Sequence, residues 1–422
     1  MCALSLSARS NPPTDKELLD VFRPVFKRIA ENAIQREIDG RRPLEEVKWL
    51  RESGFTAVRV PREYGGLGAS LRQLHLLLIE LAAADSNLSH ALRVQFRFIE
   101  GHLKQRDTPW SSGWLKKIAS GVVIAAGSAE RTGQHGKPST RVTESDGKFY
   151  VNGGKYYSTG SIYADYLSVT ATNDQDEVVT VLVPVNAPGV EVIDDWVGFG
   201  QKSSGSGTAI FTNTLVDKEN IMPPARGTGG HYAHVQLSHL ATTAGIVRRA
   251  TDEISEFVAT RHRTYNQASA QVPADDPLVQ SVIGRADAAA YSLKALVLQV
   301  AGQLDELADA RYAQHRGDTS LTQQEIDQLE RDAGLDTYRA QTVVFDVALR
   351  VTNEIFEVGG ASAIDQRRHL DRHWRNVRTL ASHNPLIYRH RQLGEYRLKG
   401  TSPFDKKDKS KNLASEDAGL GV

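Results

Sequence analysis

The first third of the chain repeats apolar residues with the period of an α-helix. Apolar side chains recur every three or four residues between Asp15 and Ile38, which predicts one helix with one buried face. Gly54 is a stop signal, and residues 85–90 form a polar break. The predicted helices are 15–38, 43–50, 71–84 and 91–104. We therefore predict an N-terminal α-helical domain over residues 14–120.

In the middle third the hydrophobic period shortens from about 3.6 residues to about 2. Short runs rich in Val, Thr and Tyr alternate with Asp-Gly, Asn-Gly, Gly and Pro, which are residues of tight turns. The predicted strands are 122–126, 141–144, 149–155, 166–172 and 178–184, with the last strands near Ile210 and Val216. This pattern favours an antiparallel meander or a small barrel. We therefore predict a middle β-barrel or sandwich domain over residues 121–225.

The last third returns to the helical period. The predicted helices are 231–261, 276–313, 335–358 and 371–383, with a closing segment through Tyr396. Long helices with this order predict an up-down four-helix bundle over residues 230–400, in which 314–332 is either a loop or an exposed helical excursion. Residues 401–422 are polar and predict a disordered tail or an arm on a neighbouring subunit. The predicted fold class is α+β.

The composition is that of an ordinary globular protein, and it narrows the set of partners. The 422 residues are 40% hydrophobic, and 51 basic residues balance 51 acidic ones. A net charge of zero argues against nucleic acid or an anionic membrane, because both select for a basic excess. The single cysteine, Cys2, excludes a disulfide framework and a cysteine-based metal site. Residues 1–13 lack a signal-peptide pattern and no apolar run could span a bilayer, so the expected location is cytoplasmic.

Several histidines are candidates for a metal or catalytic site. His231, His234 and His239 lack an i,i+4 pair with a carboxylate partner. Solvated or core histidines are the better interpretation for these three, and no metal is predicted. His90 stands near the start of a helix and could point into a site. A capping or solvated histidine is the alternative.

Two loops of the middle region are unusual for plain turns. Residues 125–133 are small and polar and follow a predicted strand directly, and residues 152–161 cluster hydroxyls and aromatic rings. Small residues let a backbone approach a planar ligand, and hydroxyls supply donors to its edge. Ordinary β-turn chemistry is the alternative for each loop taken alone.

The segment 370–385 combines an apolar stripe with many polar side chains. One helical face is predicted to be buried and carries Leu370, Trp374, Val377 and Ala381. Asn384 precedes a proline and is steered away from the α region, so the helix should end near His383. His383 and Asn384 could then reach into a pocket from the helix C-terminus. A helix cap with solvated polar faces is the alternative.

Four motifs in order carry a resemblance to a known family. They are the connector Gly54–Gly68, Ser128-Ala129-Glu130, Asn152-Gly153-Gly154-Lys155, and Phe356-Glu357-Val358-Gly359-Gly360. With the order helical domain, β domain, helical bundle, residues 15–400 resemble the acyl-CoA dehydrogenase fold. In that family the β-domain loops hold the flavin ring, and the Gly-Gly turn meets the cofactor of a neighbouring subunit.

The resemblance implies a set of flavin-binding residues. Ser128 and Ala129 would lie beside the pyrimidine side of the flavin, and Thr159 would lie near its N5 and O4. Tyr157 replaces the family's tryptophan. Trp196 stands where some relatives place a tryptophan near flavin or substrate.

A second implied set belongs to contacts between subunits. Gly359 and Gly360 form the turn that meets a neighbour's flavin, and Arg263 is a candidate for its phosphate because Arg suits bidentate phosphate contact. An ordinary surface arginine is the alternative. The sequence leaves dimer and tetramer open, and a homotetramer is the family's habit.

The chain departs from the dehydrogenases at the residue that abstracts the substrate proton. They use a glutamate, in many members in a Tyr-Glu-Gly turn after an Arg-Asp-Ala triplet. Laying Arg375-Asn376-Val377 on that triplet places Asn384 on the glutamate, and an amide cannot take a proton at neutral pH. The family's Gly-Ser-Asp after Ser-Ala-Glu is replaced by Gln134-His135-Gly136, which weakens the hold on an FAD pyrophosphate and favours FMN.

The C-terminal segment resembles instead the flavin monooxygenases built on this fold, namely the dibenzothiophene and sulfone-type enzymes, the two-component aromatic hydroxylases and the amine N-hydroxylases. The matching residues are Leu370-Asp371-Arg372-His373-Trp374-Arg375-Asn376, Thr379, His383, Asn384 and Pro385. These enzymes take reduced flavin from a separate NAD(P)H:flavin reductase and form a C4a-(hydro)peroxide with O2. Sulfur-oxidising relatives can carry Asn where this chain has Ala126, and a second histidine where it has Leu380.

The sequence thus predicts a two-component monooxygenase that uses reduced FMN, with FAD as the alternative, and O2 to oxygenate a small sulfur, nitrogen or aromatic compound. The candidate catalytic residues are His383, Thr159, Ser158, Asn384 and His90. The candidate cofactor-binding residues are Ala126, Ser128, Ala129, Tyr157, Thr159, Trp196, Arg263, Gly359 and Gly360. One alternative is an acyl-CoA dehydrogenase that uses FAD, with Glu253 or Glu357 as its base. Another is a non-catalytic flavin-binding member.

Overall fold

Helices form the two ends of the chain and strands form its middle. The computed structural model describes residues 11–131, 138–222 and 229–404. The helices before the sheet are α1 (Asp15–Ala30), α2 (Ala33–Ile38), α3 (Leu44–Glu52), α4 (Leu71–Ala84), α5 (Ser86–Ala91), α6 (Arg93–Leu103) and α7 (Pro109–Ala119). The order of helical region, sheet and helical region is the predicted one, and the α+β class is confirmed.

Side-chain caps fix where several of these helices begin. Ser70 accepts the backbone N–H of Gln73, while the Gln73 side chain accepts the N–H of Ser70. This capping box starts α4, whose predicted bounds are confirmed. The Asp85 carboxylate accepts the N–H of Asn87 and starts α5. Residues 85–90 are therefore mostly helical, and the prediction of a polar break there was wrong.

The first predicted helix is broken in two. Asn32 lies between α1 and α2 with a non-helical φ of −121°, so the prediction of one helix over 15–38 was wrong. The break lets Arg36 turn inward, where its guanidinium lies 2.8 Å from Glu46 and 3.0 Å from Asp85. A buried cation needs such partners. These ion pairs tie α2 and α3 to the start of α5.

The strands form one mixed sheet rather than the predicted antiparallel meander. They are β1 (Ile124–Gly127), β2 (Arg141–Ser145), β3 (Lys148–Lys155), β4 (Tyr166–Thr172), β5 (Val178–Pro184), β6 (Val190–Ile193), β7 (Thr208–Val216) and β8 (Ile221–Met222). Their order is β6-β7-β3-β2-β4-β5-β8, and β1 pairs with β4 in parallel. The antiparallel prediction was wrong for β1 and for the single parallel bridge of β2 with β4. An alternating pattern shows which face is buried but does not encode the neighbouring strand.

The helices after the sheet form the predicted bundle. They are α8 (Gly229–Ala259), α9 (Pro277–His315), α10 (Gln323–Glu354), α11 (Phe356–Gly359), α12 (Asp371–Ser382) and α13 (Leu386–Lys399). α8, α9 and α10 pack on one another, and α12 and α13 pack on α10. A capping box of Thr322 and Glu325 starts α10, which settles the open prediction for 314–332 as a short turn followed by helix. The predicted tail falls largely outside the described residues, which end at 404.

One glycine brings the N-terminal helices and the bundle unusually close. A Cβ atom on Gly245 of α8 would lie 2.5 Å from the Cβ of Ala82 and 2.5 Å from the carbonyl oxygen of Ile79, both in α4. Only glycine therefore permits this approach. Since α5 follows α4 directly, it also packs against α8, and this contact positions the candidate site.

Candidate active site

Three histidine rings from three separate helices lie against one another. His90 belongs to α5, His239 to α8, and His383 caps the C-terminus of α12. The ring centroids of His90 and His239 are 5.3 Å apart, and those of His239 and His383 are 4.3 Å apart. We call these three residues the histidine row. His90 and His239 are only 7% and 1% exposed, and His383 is half-buried.

Burial and a nearby cation keep the histidine row uncharged. Burial, the largest cause, and the charge of Arg93 together lower the pKa of His383 to about 3. Burial is also the largest cause for His90 and His239, with a contribution from Arg93 and from neighbouring histidines, and the pKa of each lies well below the usual value. All three rings are therefore neutral near pH 7. Each neutral ring offers one donor and one acceptor nitrogen.

Asn384 fixes which nitrogen of His383 carries the proton. The α12 helix ends where predicted, and buried Asn384 places its side-chain Nδ2 2.9 Å from Nδ1 of His383. An amide nitrogen can only donate, so Nδ1 accepts and carries no proton. The neutral ring therefore holds its proton on Nε2, which becomes the donor.

Several nitrogen atoms of the histidine row have no hydrogen-bond partner. Nδ1 of His90 and both ring nitrogens of His239 are buried and unpaired among the described residues. Each such group costs about 1–3 kcal/mol of stability. Unpaired polar groups are rare in folded interiors, and a cluster of them indicates a ligand site.

The loop after β3 supplies a second wall of the site. Arg93, the first residue of α6, donates through Nη2 to Oγ1 of Thr159 at 3.2 Å, and Ser206 donates to the same oxygen at 3.0 Å. A hydroxyl accepts two hydrogen bonds and donates one. Both acceptor positions of Thr159 are therefore used, and its own proton remains available to a ligand.

Backbone hydrogen bonds join the two loops that the sequence singled out. They run from Ala126 N to Thr159 O at 3.2 Å and from Tyr156 N to Ala129 O at 2.9 Å, and a further bond joins Gly160 N to Ser204 O, outside these two loops, at 2.9 Å. Ser158 lies in the middle of this wall, fully buried, and its Oγ has no partner among the described residues. The predicted residues Ala126, Ala129, Ser158 and Thr159 are thus neighbours in space.

The segment 200–206 connects this wall to both helical regions. Gln201 donates its N–H to the Asn376 side chain of α12 at 2.6 Å, and Ser203 donates its N–H to the Asn87 side chain of α5 at 3.1 Å. A Cβ atom on Gly200 would lie 2.2 Å from the Arg375 carbonyl oxygen. The wall therefore has a fixed position relative to α5 and α12.

The residues present fit a planar cofactor with a polar edge. Ser128 and Ala129 are half-buried small residues directly after β1. The ring of Tyr157 meets the ring of Trp196 edge to face, with centroids 5.6 Å apart. A flat ring would have small residues to lie on, aromatic rings at its side, and the unpaired Ser158 hydroxyl at its edge. These are the features that a flavin needs.

The predicted inter-subunit residues lie elsewhere. Arg263 lines a cavity of about 250 Å³ together with Arg261, Tyr265, Glu357 and other residues. Gly359 accepts a hydrogen bond from Arg261 through its carbonyl oxygen, at 2.8 Å, and a Cβ atom on Gly360 would collide with the Tyr265 hydroxyl. Among the described residues, no hydrogen bond or ring contact joins these groups to the histidine row. Their predicted contact with a neighbour's flavin stays a prediction.

The first turns of α12 are built differently from its end. Arg372 and His373 both bind the Glu253 carboxylate, the latter at 2.8 Å, and Arg375 lies 3.0 Å from Glu37. Burial by itself raises the pKa of Glu253, but the hydrogen bonds and charges of His373 and Arg372 outweigh it and hold that pKa far below its usual range. Most of the polar side chains predicted on this helix thus form ion pairs or hydrogen bonds with other groups of the same chain.

One member of the predicted apolar stripe is not buried. Leu370, Val377 and Ala381 are buried, but Trp374 is 39% exposed and stacks on Phe199, with ring centroids 5.9 Å apart. The prediction that Trp374 is buried was wrong. The helix lies at the edge of the molecule, and helical spacing alone does not reveal where the buried stripe ends.

The sequence missed three residues of the site. The sequence predicts a core or solvated histidine at His239, and it assigns no role to Arg93 or Ser206. His239 is indeed in the interior, but nothing in its local sequence indicates that His90 and His383 lie on either side of it. Arg93 follows His90 by three residues, and this spacing is the only signal in the sequence that could have drawn attention to it.

The described residues lack both a metal-binding cluster and a membrane-spanning helix. Within 11–131, 138–222 and 229–404, no group of three or more His, Cys, Asp or Glu side chains is placed to hold a metal ion. Over the same ranges, no helix is both long and apolar enough to cross a membrane.

Three family models match consecutive parts of the chain. The N-terminal domain of acyl-CoA dehydrogenases matches residues 13–121, the middle domain residues 126–214, and the C-terminal domain residues 237–386. The chain therefore belongs to the acyl-CoA dehydrogenase family. The predicted fold is confirmed.

Within this family the chain is similar to monooxygenases. The probable FMNH2-dependent monooxygenase SfnC of Pseudomonas putida is 26% identical over 406 residues, covering 94% of this chain and 98% of that protein. Dibenzothiophene monooxygenase of Rhodococcus qingshengii is 26% identical over 419 residues, covering 94% and 96%. FMN-bound TdsC from Paenibacillus sp. A11-2 superposes with a TM-score of 0.83 at 24% identity, covering 92% and 98%. The predicted resemblance and the predicted enzyme class, an oxidoreductase, are confirmed.

Proposed function

We propose that this protein is a two-component, flavin-dependent monooxygenase. It takes reduced FMN from a separate NAD(P)H:flavin reductase and uses O2, by way of a flavin C4a-(hydro)peroxide, to oxygenate a small organic substrate. One oxygen atom enters the substrate and the other leaves as water, while the flavin is oxidised. The observation that carries the proposal is the histidine row: it is neutral, three of its nitrogens are unpaired among the described residues, and no described carboxylate shifts the pKa of its members.

The chain's own residues have distinct roles in this proposal. Thr159 donates its free proton to the edge of the flavin, and Ser158 supplies a second hydroxyl beside it. His383 donates from Nε2 to the reacting oxygen, because Asn384 holds its Nδ1 in the accepting state. The buried rings of His90 and His239 exclude water, which strengthens every hydrogen bond in the site.

The carboxylates that a dehydrogenase could use are badly placed for that role. Glu253 is held by Arg249, Arg372 and His373. Although burial raises its pKa, His373 and Arg372 depress it by more, so Glu253 is a poor base. Glu357 is exposed beside the Arg263 cavity and has no contact with the histidine row among the described residues. Asn384 occupies the position at which the resemblance would place a glutamate. These observations favour oxygenation over α-proton abstraction.

FMN is the proposed cofactor, and the FAD alternative lacks support. One relative is named for its dependence on FMNH2, and TdsC was solved with FMN bound. Residues 134–136, on which the sequence argument for FMN depends, lie outside the described residues. Because one relative is named as a dibenzothiophene monooxygenase, a sulfur compound is the first substrate class to test. A homotetramer and a cytoplasmic location remain part of the proposal.

Stopped-flow mixing tests the proposal directly. The protein is loaded with reduced FMN without oxygen and mixed with oxygenated buffer, and the flavin spectrum is followed. We expect an intermediate spectrum distinct from those of reduced and oxidised flavin, and a slower return to oxidised FMN than free flavin shows. Reoxidation identical to that of free FMN would reject the proposal. Bleaching of bound FAD by an acyl-CoA in the absence of oxygen would favour the dehydrogenase instead.

A further inference from the structure

Arg93 is a charged residue without a counter-ion at the centre of the candidate site. Its Nη2 donates to the neutral Thr159 hydroxyl, and its Nε is buried without a partner. Among the described residues it forms no ion pair. Two other enclosed arginines are paired: Arg36 with Glu46 and Asp85, and Arg59 with Glu100.

The guanidinium of Arg93 keeps its charge despite this environment. Burial, the largest cause, and the like charge of Arg97 lower the pKa of Arg93 to about 10. Near pH 7 the group is therefore still a cation. An enclosed cation without an anion is costly, and proteins normally pair it.

The protein side chains around Arg93 do not balance this charge. Thr159 and Ser206 are neutral hydroxyls. The histidine row is neutral as well, and the charge of Arg93 itself helps to keep it so. No described residue therefore supplies the compensating anion.

We propose that the substrate is a small organic oxyanion, a sulfinate or carboxylate, and that Arg93 binds its anionic group. The inference rests on the proposed function, because it assigns the substrate class of the same site. The unpaired Nε–H and a neighbouring Nη–H of Arg93 form a fork that matches two oxygens of one oxyanion. The His383 Nε2–H and the single N–H of the neutral His239 ring, whose nitrogens are both unpaired among the described residues, can complete the set of donors. This substrate is more polar than the neutral aromatic compounds included in the sequence prediction.

Reduced FMN could be a second source of the anion, since its ring also carries negative charge. The two sources predict different losses when Arg93 is changed. If Arg93 serves the substrate, its removal weakens oxyanion binding and leaves FMN affinity nearly unchanged. If it serves the flavin, FMN affinity falls instead.

The test compares oxyanions with neutral compounds of the same shape. Dissociation constants for methanesulfinate and dimethyl sulfoxide, and for acetate and acetamide, are measured by NMR titration of the protein saturated with oxidised FMN. In the wild-type protein we expect each anion to bind at least about tenfold tighter than its neutral counterpart, a difference of about 1.4 kcal/mol. In Arg93→Gln the preference should disappear. In Arg93→Lys part of it should remain, because Lys keeps a point charge but lacks the fork.

A matched control removes one positive charge from the far end of the same helix. Lys104→Gln changes the net charge equally and lies eleven residues from Arg93, about 16 Å along the helix axis, so it should keep the full anion preference. The inference is overturned if the wild-type protein binds anion and neutral compound equally, if Arg93→Gln keeps the preference, or if Arg93→Gln weakens FMN tenfold with the preference intact. Since these titrations need neither oxygen nor turnover, they can fail while the stopped-flow test succeeds, and the reverse.

Discussion

The two ends of helix α12 use similar side chains in opposite ways. In its first turns, Arg372 and His373 share the Glu253 carboxylate, and both residues are buried. At its C-cap, the ring of His383 has one hydrogen bond among the described residues, to the neighbouring Asn384. This ring lies against His239, whose two nitrogens are unpaired among those residues. Histidine and arginine occur at or near both ends of the helix. The types of residue present therefore do not explain why the two ends differ.

The difference between the two ends lies in hydrogen-bond saturation. The side chains around Glu253 are paired with one another and join α8 to α12. We therefore expect them to contribute to stability. The histidine row still has nitrogens without hydrogen-bond partners among the described residues. We therefore expect it to contribute to activity at some cost in stability. Substitutions in the two regions should therefore have different consequences.

The largest effect is expected for His383→Ala. Loss of the Nε2–H donor should lower the rate of substrate oxygenation about a thousandfold, within the range for a positioned proton donor, while the unfolding temperature changes little. Product formation is measured with a flavin reductase, NADH, FMN and O2. Ser382→Ala is the control, because Ser382 is exposed on the same helix and should keep full activity. A large drop in unfolding temperature with the rate preserved would contradict the comparison.

The next effect is a loss of stability in Glu253→Gln. Without the carboxylate, Arg372 is left enclosed without its anion, which should cost about 3 kcal/mol. Chemical denaturation measures this loss, with Glu256→Gln, an exposed carboxylate on the same helix, as the control.

The pH dependence of the same contribution has a definite sign. Because the pKa of Glu253 is depressed in the fold, its contribution is fully present above the usual carboxyl pKa and disappears as the pH falls below it. Denaturation at pH 7 and at acid pH should show the gap between wild type and Glu253→Gln closing at acid pH. A gap that widens would disprove this role.

A smaller effect is expected for Asn384→Asp, seen in the pH profile. A carboxylate at this position must accept from Nδ1 of His383 and should raise the pKa of His383 by about 1–3 units from its present value of about 3. In the neutral ring the proton would then sit on Nδ1, and Nε2 would become an acceptor. Oxygenation by the variant should fall as the pH rises through the new pKa, whereas His383 imposes no such fall on the wild-type profile. Identical profiles would show that Asn384 does not set the tautomer.

The smallest loss of stability is expected for His239→Leu. Replacing its two unpaired nitrogens by apolar carbon removes the cost of enclosing them, so the free energy of unfolding should not fall, while activity falls. Gln95→Leu provides the contrast: Gln95 is also buried, but its side chain bonds to the backbone of Thr56, Val122 and Ile124. That variant should be clearly less stable. Equal destabilisation by both substitutions would remove the distinction between paired and unpaired groups.

The sequence predicted the elements better than their arrangement. The helix over 71–84 was predicted to the residue, because a capping box precedes an almost continuous apolar run. The break at Asn32 was missed, since the apolar spacing continues across it while the buried Arg36 requires a turn. The parallel pairing of β1 with β4 was missed for a related reason: pairing depends on connections across the sheet and not on the strands' own residues.

The candidate site was predicted in part for a similar reason. His90, Thr159 and His383 carry hydrogen-bonding groups beside turns or helix ends, so their local sequence draws attention to them. The importance of His239 and Arg93 depends on neighbours far away in the chain: His239 lies between rings from α5 and α12, and Arg93 contacts a hydroxyl sixty-six residues later. Local patterns do not contain that information.

The segment 200–206 has a consequence for building chimaeras from members of this family. This segment bonds to Asn376 of α12, to Asn87 of α5 and to the hydroxyl of Thr159. The bundle, the N-terminal helices and the sheet loops therefore share one short connection. A recombinant that takes the bundle of one relative and the sheet of another would have to carry matched partners for this connection. Crossover points that separate it from Asn87 or Asn376 should yield misassembled hybrids, whereas exchanges within the turn at 316–322 should be tolerated.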